Sequence, residues 1–311
     1  MRTALIKQQL HARLMGSSFE LIVVEKDEDT ARRRLEEGFS EIQRIEALLT
    51  EFSSDSQTAL LNKYAGERPV TVDPEVYQLM ERCQHLARLT QGAFDISAGA
   101  LKVLYNFKER QAHRPDAVRL AETLAAVGHR HIQLSSDTVF LSKKGMRIGF
   151  GAIGKGYAAD RVRALWQSQQ VTAGVINASG DLTAWGRQPD GQPWRVGIAD
   201  PRDPSRILLW LPVENAAVAT SGNYEQYFEI EGVRYSHNID PRTGIPVRGI
   251  KSATVISPSA ELSDALATAV TVMGVTAGLH LIDQLPDVHG IIIDDKDRVF
   301  SSKNIATHAY N

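Results

Sequence analysis

The chain has 311 residues, of which 43% are hydrophobic and 23% are charged, so it can bury a large core. Lysine and arginine number 35 against 37 aspartates and glutamates, which leaves no basic excess for a nucleic-acid backbone or an anionic membrane surface. The composition therefore favours an ordinary soluble globular protein that acts on a small molecule or on another protein.

The single cysteine and the polar residues of the N-terminal segment indicate in which compartment the protein is found. Cys83 lies in a helical apolar pattern and is predicted to fill the core, and a single cysteine excludes a disulfide or zinc framework within the chain. Polar residues such as Lys7 and Arg13 interrupt the first segment, which argues against a signal peptide. No run approaches the roughly 20 apolar residues of a membrane helix. We expect a cytoplasmic location, or a periplasmic one if a leader has been removed.

The first third of the chain is predicted to be mostly helical. Residues 19–24 read as a strand, and the apolar spacing that follows predicts a long amphipathic helix over 27–53. After a short strand, a second helix has Asp73 as its N-cap, Pro74 at its first position and Gly92 after its last turn. A helical subregion over about 29–110 is an alternative subdivision of the chain.

The rest of the chain is predicted to run through strands with helices between them. A helix is expected over 117–128, then two or three strands up to residue 150, and another helix from about Lys155. Further strands are predicted over 173–179, 194–200, 207–213 and 215–222, and loops over 186–193, 200–206 and 240–249. Strands in such succession predict an α+β fold, with a mixed, largely antiparallel sheet flanked by helices. We expect one domain over residues 1–311, with a split near residue 110 left open.

The stretch IGFGAIGKGYAAD, residues 148–160, satisfies the phosphate-loop pattern G-x-x-x-x-G-K from Gly149 to Lys155, directly after a predicted strand. A phosphate loop needs Ser or Thr next, because that hydroxyl ligates the magnesium ion, and Gly156 has none. We therefore set the nucleoside-triphosphatase interpretation aside. A helix N-terminus near Lys155 still predicts anion binding, although a tight strand-to-helix turn with an exposed lysine would explain the same residues.

Polar residues at the predicted ends of other elements are candidate ligand contacts. Phe94 and Asp95 follow a helix end, where an aromatic face and a carboxylate could meet a heteroaromatic ligand, although a helix C-cap with a buried Phe explains them as well. Asp181 follows an apolar strand, in a loop that a simple hairpin turn also explains. His237 precedes a turn and could be a base, a ligand contact or a histidine satisfied by its neighbours.

The apolar helix predicted over 261–274 contains two polar residues, Asp264 and Thr268, which share one face because they are four residues apart. A carboxylate on a buried helix is costly unless it is paired or bound to a metal ion. Oxygen ligands of this kind suit Mg²⁺, which completes its shell with water and substrate phosphates. The alternative is that Asp264 caps the helix and Thr268 bonds back to a carbonyl.

Eight motifs together resemble one family. They are MGSSFEL, FSSDSQTALLN, GAFDIS, GAIGKGYAAD, NASGDL, TSGNY, HNIDPRTGIP and SDALATAVTVMG, and in this order and spacing they are similar to the ApbE family of FAD:protein FMN transferases. The resemblance runs from about Met15 to about Gly274 and beyond. It implies an ApbE or T-fold-like architecture, in which a mixed, largely antiparallel sheet has helices on both sides.

The resemblance also implies an activity and a set of site residues. The implied enzyme depends on Mg²⁺, attaches the FMN half of FAD through a phosphoester to a Thr or Ser of a partner flavoprotein, and releases AMP. The implied FAD contacts are Met15, Phe52, Ala93, Phe94, Asp95, Lys155, Asp181 and Asn238. The implied metal ligands are the carbonyl of Ala152, Asp264 and Thr268. The implied catalytic residues are Lys155, Asp264 and, as a candidate base, His237.

Three positions depart from the family pattern. Gly149 stands where the family usually has an Asp that touches FAD, Ser179 replaces a Gly, and Asn238 replaces an aliphatic residue. The first departure loses a contact and the second adds a side chain to a loop expected to be crowded. We therefore expect weaker or altered FAD affinity, with the metal and pyrophosphate site intact.

Two other functions stay open at this point. One is an FAD pyrophosphatase, in which water attacks and FMN and AMP are released, and the other is a non-catalytic FAD-binding or carrier protein. Targets of the family carry a segment Asp-x-x-Ser/Thr-Gly-Ala/Ser-Thr/Ser. The nearest run here starts at Asp95 and ends at Leu101 without a hydroxyl, which excludes self-modification there. The expected partners are FAD and a separate acceptor flavoprotein, with no nucleic acid and no membrane span.

Overall fold

The computed structural model describes residues 5–105, 115–200, 203–222, 227–230, 233–303 and 305. The predicted boundary near residue 110 lies outside these residues. The helices are α1 Glu28–Leu49, α2 Gln57–Lys63, α3 Pro74–Leu89, α4 Gly99–Lys102, α5 Ala117–Leu124, α6 Gly154–Ser168 and α7 Ala260–Ile282. The strands are β1 Ile6–Leu14, β2 Ser17–Glu25, β3 Val70–Thr71, β4 Ile132–Ser135, β5 Thr138–Leu141, β6 Gly174–Ala178, β7 Asp181–Trp185, β8 Trp194–Asp200, β9 Asp203–Val213, β10 Ala216–Gly222, β11 Tyr227–Ile230, β12 Val233–Ser236, β13 Ile250–Ser257, β14 His289–Asp294 and β15 Val299–Ser301.

An eight-stranded sheet organises the molecule. Its order is β1-β2-β6-β7-β10-β13-β14-β15, and each of its neighbouring pairs is antiparallel. A smaller sheet has the order β3-β5-β4, and β8–β9 and β11–β12 form two further antiparallel pairs. The predicted α+β class with a largely antiparallel sheet is therefore confirmed.

The sheet has two buried faces because its strands alternate in side-chain direction. In β2, Phe19, Leu21 and Val23 enter the core that α1, α3 and α6 cover, whereas Ile22 and Val24 point to the other face. That second face packs against the hairpin β8–β9 rather than against a helix, so the expectation of helices on both sides of the sheet is wrong for this face among the described residues. Helix α7 lies over β10 and β13 with a third core cluster.

The predicted helix signals hold in the structure. Asp73 accepts a hydrogen bond from the backbone N–H of Glu75, Pro74 opens α3, and Gly92 follows the helix with φ of 80°. Ser259 caps α7 and accepts from the N–H of Leu262, so the alternative in which Asp264 caps this helix is wrong. Among the helices described, α7 is long and apolar enough to cross a membrane by length and composition, a test that core helices also pass, and it is largely buried.

Residues 147–150 do not form the third predicted strand. Arg147 makes only an isolated bridge to Ala98, because the Asn62 side chain takes both the N–H and the C=O of Ile148, at 2.7 Å and 3.0 Å. The N–H of Gly149 then donates to the carbonyl of Ile96. The prediction that the glycine-rich stretch directly follows a strand is therefore wrong. The strand predicted at residue 207 begins at Asp203, within the segment predicted as a loop.

Candidate active site

A cavity of about 360 Å³ lies where the N-terminus of α6, the middle of α7 and several strand ends meet. This volume falls within the usual range of small-molecule sites. Ten of the twelve predicted site residues line it, and these are Ala93, Phe94, Asp95, Ala152, Lys155, Asp181, His237, Asn238, Asp264 and Thr268.

Lys155 lies between two carboxylates in this cavity. Its Nζ is 2.9 Å from Oδ2 of Asp181 and 3.7 Å from Oδ2 of Asp264. Asp181 opens β7 after the turn at Ser179 and Gly180, whose φ values of 53° and 100° suit a tight hairpin. Residues more than 100 positions apart thus form one charged cluster.

The electrostatics of the cluster follow from burial. Desolvation raises the pKa of Asp264, and Asp181 raises it further, while Lys155 and the N–H of Gly156 act in the opposite direction. Desolvation lowers the pKa of Lys155, but the two carboxylates outweigh it and the net shift is upward. Lys155 therefore stays protonated, and a bound cation would stabilise Asp264 in its charged form.

The residues assigned to a metal ion fit Mg²⁺. Both contacts of Asp264, from Lys155 and from the N–H of Gly156 at 3.2 Å, engage Oδ2, so within the described part of the chain Oδ1 accepts no hydrogen bond. Thr268 lines the cavity one turn later, and the predicted back-bond to a carbonyl is made by Thr271 instead. The described residues contain no cluster of three or more His, Cys, Asp or Glu side chains suited to a metal. One carboxylate with neutral oxygens, completed by substrate phosphates, is a donor set that Mg²⁺ accepts.

The loop after α3 is held by Asp95. Its Oδ1 accepts from the N–H and hydroxyl of Ser97, and its Oδ2 accepts from the N–H of His129 at 2.6 Å and lies 3.2 Å from its Nδ1. Phe94 is 2% exposed. Asp95 and Phe94 thus fix the shape of a loop that lines the cavity, and the backbone of this loop is the part best placed to meet a ligand.

His237 and Asn238 also line the cavity, directly after β12. The side-chain Nδ2 of Asn238 donates to Oγ of Ser221 at 3.0 Å, and the backbone carbonyl of Asn238 accepts from the N–H of Val247. Asn238, a polar residue where the family pattern has an aliphatic one, is therefore hydrogen-bonded to Ser221, a second polar residue of the cavity.

Two predicted FAD contacts lie outside the lining. Met15 sits in the turn between β1 and β2 with φ of 51° and packs on the core near Gly154. Phe52 is 90% exposed. Their neighbours Ser17 and Glu51 do line the cavity.

Sequence reasoning missed two charged lining residues, Glu51 and Lys102. The sequence offers one weak signal for each. Glu51 is a charged residue next to the motif residue Phe52, and Lys102 is a lysine in an apolar run after the GAFDIS motif. Of the departures, Gly149 leaves space that the Glu51 carboxylate enters. Ser179 is exposed rather than crowded, and its hydroxyl bonds to the backbone of Ser18.

Proteins with similar sequences identify the family of this chain. A model described as the ApbE family matches residues 15–292. The chain is 35% identical over 288 residues to a Treponema pallidum protein named FAD:protein FMN transferase, covering 87% of this chain and 80% of that protein. A Klebsiella pneumoniae protein of the same name is 34% identical over 294 residues, covering 93% and 90%.

Solved structures agree as well. The crystal structure of the ApbE protein from Thermotoga maritima matches with a TM-score of 0.88 and 30% identity, over 96% of this chain and 97% of that one. The flavinyl transferase ApbE of Pseudomonas stutzeri matches with a TM-score of 0.87 and 27% identity, over 96% and 95%. The predicted resemblance is confirmed, and this chain belongs to the ApbE family.

Proposed function

We propose that this protein is an FAD:protein FMN transferase, which moves FMN from FAD to a Thr or Ser hydroxyl of a partner flavoprotein through a phosphoester bond and releases AMP. Two observations support the proposal. Relatives that align with 87% and 93% of this chain, at 35% and 34% identity, carry that enzyme name. The observation that carries it is the Asp181–Lys155–Asp264 cluster at the N-terminus of α6, within a cavity sized for part of a dinucleotide.

In this proposal, the pyrophosphate of FAD binds at the N-terminus of α6. The N-cap residue Ile153 offers no side-chain cap. The N–H of Gly154 donates to the carbonyl of Phe150 and that of Gly156 donates to Asp264, so of the first three N–H groups that of Lys155 is left for an anion, and its side chain adds a full positive charge. The loop of Ala93 and Phe94 and the wall of Asn238 would hold the ring systems. These contacts position the substrate before chemistry begins.

Mg²⁺ would be held by Asp264, Thr268 and the carbonyl of Ala152, where it neutralises phosphate charge and polarises the phosphoryl group. The charge of the cavity lining favours the binding of a cation. Among the described residues of the lining, four carboxylates, Glu51, Asp95, Asp181 and Asp264, stand against the two lysines Lys102 and Lys155. An anionic substrate therefore meets a cavity with excess negative charge unless a cation binds with it.

The reaction balances as a phosphoryl transfer. The acceptor oxygen forms a bond to the phosphorus of the FMN half, and the bond from that phosphorus to the bridging oxygen breaks. The bridging oxygen leaves with AMP, and the hydroxyl proton passes to a base, for which His237 is the candidate in the lining. Lys155 stabilises the charge that develops on the leaving group.

Asp264→Ala is expected to abolish transfer, because it removes the only carboxylate of the proposed metal site. The measurement is a fluorescent acceptor band on a denaturing gel after incubation with FAD, Mg²⁺ and an acceptor domain carrying Asp-x-x-Ser/Thr-Gly-Ala/Ser-Thr/Ser. Asp55→Asn, at an exposed position outside the cavity, is the control and should transfer normally. Undiminished transfer by Asp264→Ala would rule out the metal assignment.

The same incubation separates the alternatives. AMP without a fluorescent acceptor would show that water attacks in place of the hydroxyl, as in a pyrophosphatase. FAD binding without AMP would show a carrier. Either result with the wild-type protein would contradict the proposed transfer.

A further inference from the structure

Charged side chains from two other elements approach the glycines that flank Phe150 in the cavity wall. A Cβ at Gly149 would lie 3.2 Å from Oε1 of Glu51, tighter than nine in ten real Cβ contacts. A Cβ at Gly151 would lie 3.5 Å from Nζ of Lys102. Glu51 follows α1 and Lys102 ends α4, so three separate parts of the chain meet over the Gly-Phe-Gly segment.

Glu51 is held so that one oxygen faces the cavity. Nε of Arg147 lies 3.1 Å from Oε2, which fixes the carboxylate from its outer side. Oε1 is the atom that lies over Gly149, and Glu51 lines the cavity. A carboxylate oxygen in this position accepts hydrogen bonds from hydroxyl groups, as acidic residues do when they bind ribose.

Lys102 differs from Lys155 in its pairing. Lys155 is shared between two carboxylates, whereas Lys102 forms no ion pair with any residue that the structure describes. The Lys102 side chain is exposed and lines the cavity. Desolvation lowers the pKa of Lys102, with Glu51 acting against this and Lys155 adding to it. An unpaired cation on the wall of a cavity with excess carboxylates is a place for an anionic oxygen of a ligand.

We propose that Lys102 and Glu51 form a second substrate-binding subsite, in which Lys102 binds a phosphate oxygen of FAD and Glu51 accepts a hydrogen bond from a sugar hydroxyl. The subsite rests on the proposed function, since it takes part of the same substrate. It explains why residue 149 is glycine: a Cβ there would press on the Glu51 carboxylate.

The test measures the dissociation constant of FAD by isothermal titration calorimetry with Mg²⁺ present. Lys102→Met should weaken FAD binding about tenfold, the loss expected for a hydrogen bond to a charged group. Lys102→Arg keeps the charge and should restore most of the affinity. Glu51→Gln should weaken binding about threefold to tenfold, because a neutral amide is a poorer acceptor.

Exposed residues of the same types outside the cavity serve as controls. Lys63→Met and Glu67→Gln should leave the FAD dissociation constant within twofold of wild type. Melting temperatures measured without FAD show that each variant is folded.

The outcomes separate this inference from the function on which it rests. If the wild-type protein binds FAD and labels the acceptor while Lys102→Met and Glu51→Gln bind FAD as tightly as wild type, the subsite is wrong and the function stands. If Lys102→Arg binds as weakly as Lys102→Met, the lysine does not act through its charge and the subsite is again wrong. If the wild-type protein fails to bind FAD, the proposed function itself fails.

Discussion

A single residue, Gly156, decides how closely the helices α6 and α7 approach each other at the cavity. A Cβ on Gly156 would lie 2.2 Å from the carbonyl oxygen of Ala260, which is backbone and cannot turn aside. The missing side chain lets α6 lie against the start of α7, and the N–H of Gly156 then reaches Asp264. The residue that spoils the phosphate-loop pattern is therefore required by helix packing.

Gly156→Ala is expected to lower the free energy of unfolding by about 1–3 kcal/mol, the usual cost of forcing a side chain into a packed interior. FMN transfer should fall as well, because Asp264 loses its N–H donor. Chemical denaturation measures the first effect and the acceptor gel the second. Gly154→Ala is the matched control, since its Cβ would make an ordinary 3.5 Å contact with Cε of Met15. Equal stability of the two variants would contradict the packing argument.

At the scale of elements, α7 is fixed at its start by side chains from two other helices. Asp160 on α6 accepts from the N–H groups of Ala260 and Glu261, at 3.0 Å and 2.8 Å. Arg82 on α3 donates to both carboxylate oxygens of Glu261. Asp264 lies one turn further along α7, so these contacts set its place relative to Lys155.

Asp160→Asn should change the dependence of stability on pH. Desolvation raises the pKa of Asp160, although the two N–H groups lower it. A folded-state pKa above the unfolded value means that protonation favours the fold, so this contribution is present at acid pH and is lost as the pH rises through the raised pKa. The free energy of unfolding of Asp160→Asn, relative to that of wild type, should therefore increase as the pH rises from about 4 to about 7.

Urea midpoints of both proteins at the two pH values measure this change. Asp160→Ala, which removes the acceptor, should lose about 0.5–2 kcal/mol as other lost helix caps do. A difference between Asp160→Asn and wild type that does not vary with pH would contradict the role of Asp160 ionisation.

At the scale of the whole molecule, the cavity draws on residues from nearly the full length of the chain. Its lining runs from Ser17 to Thr268 and includes the ends of strands on both sides of the sheet centre. Substrate and cation would therefore bind the folded state alone, which couples their binding to stability.

FAD and Mg²⁺ together should raise the melting temperature by more than the sum of their separate effects. A ligand at about 100 times its dissociation constant stabilises the folded state by about 2.7 kcal/mol. With EDTA, FAD alone should stabilise less, because the excess carboxylates of the lining oppose its phosphates. Asp264→Ala should lose the added effect of Mg²⁺. Equal shifts with and without Mg²⁺ would show that FAD binding does not depend on the cation.

The family resemblance, together with polar residues at the ends of predicted elements, named ten residues of the cavity. Local signals in the sequence determined the class of fold, helix α1, helix α3 with its caps, and the strands β2–β6 and β8–β10. They did so because apolar periodicity and capping are set by neighbouring residues. The role of Asp95 could not be read locally, since its partner His129 lies 34 residues away.

Tertiary structure alone decided the other features. The side chain of Asn62 took the hydrogen bonds that would have made residues 147–150 a strand, and the contact with Ala260 made Gly156 necessary. Glu51 reaches the cavity over Gly149, where a Cβ would press on its carboxylate, and Lys102 reaches it beside Gly151. Sequence patterns record which way a side chain faces within its own element, and contacts between distant elements depend on how those elements pack.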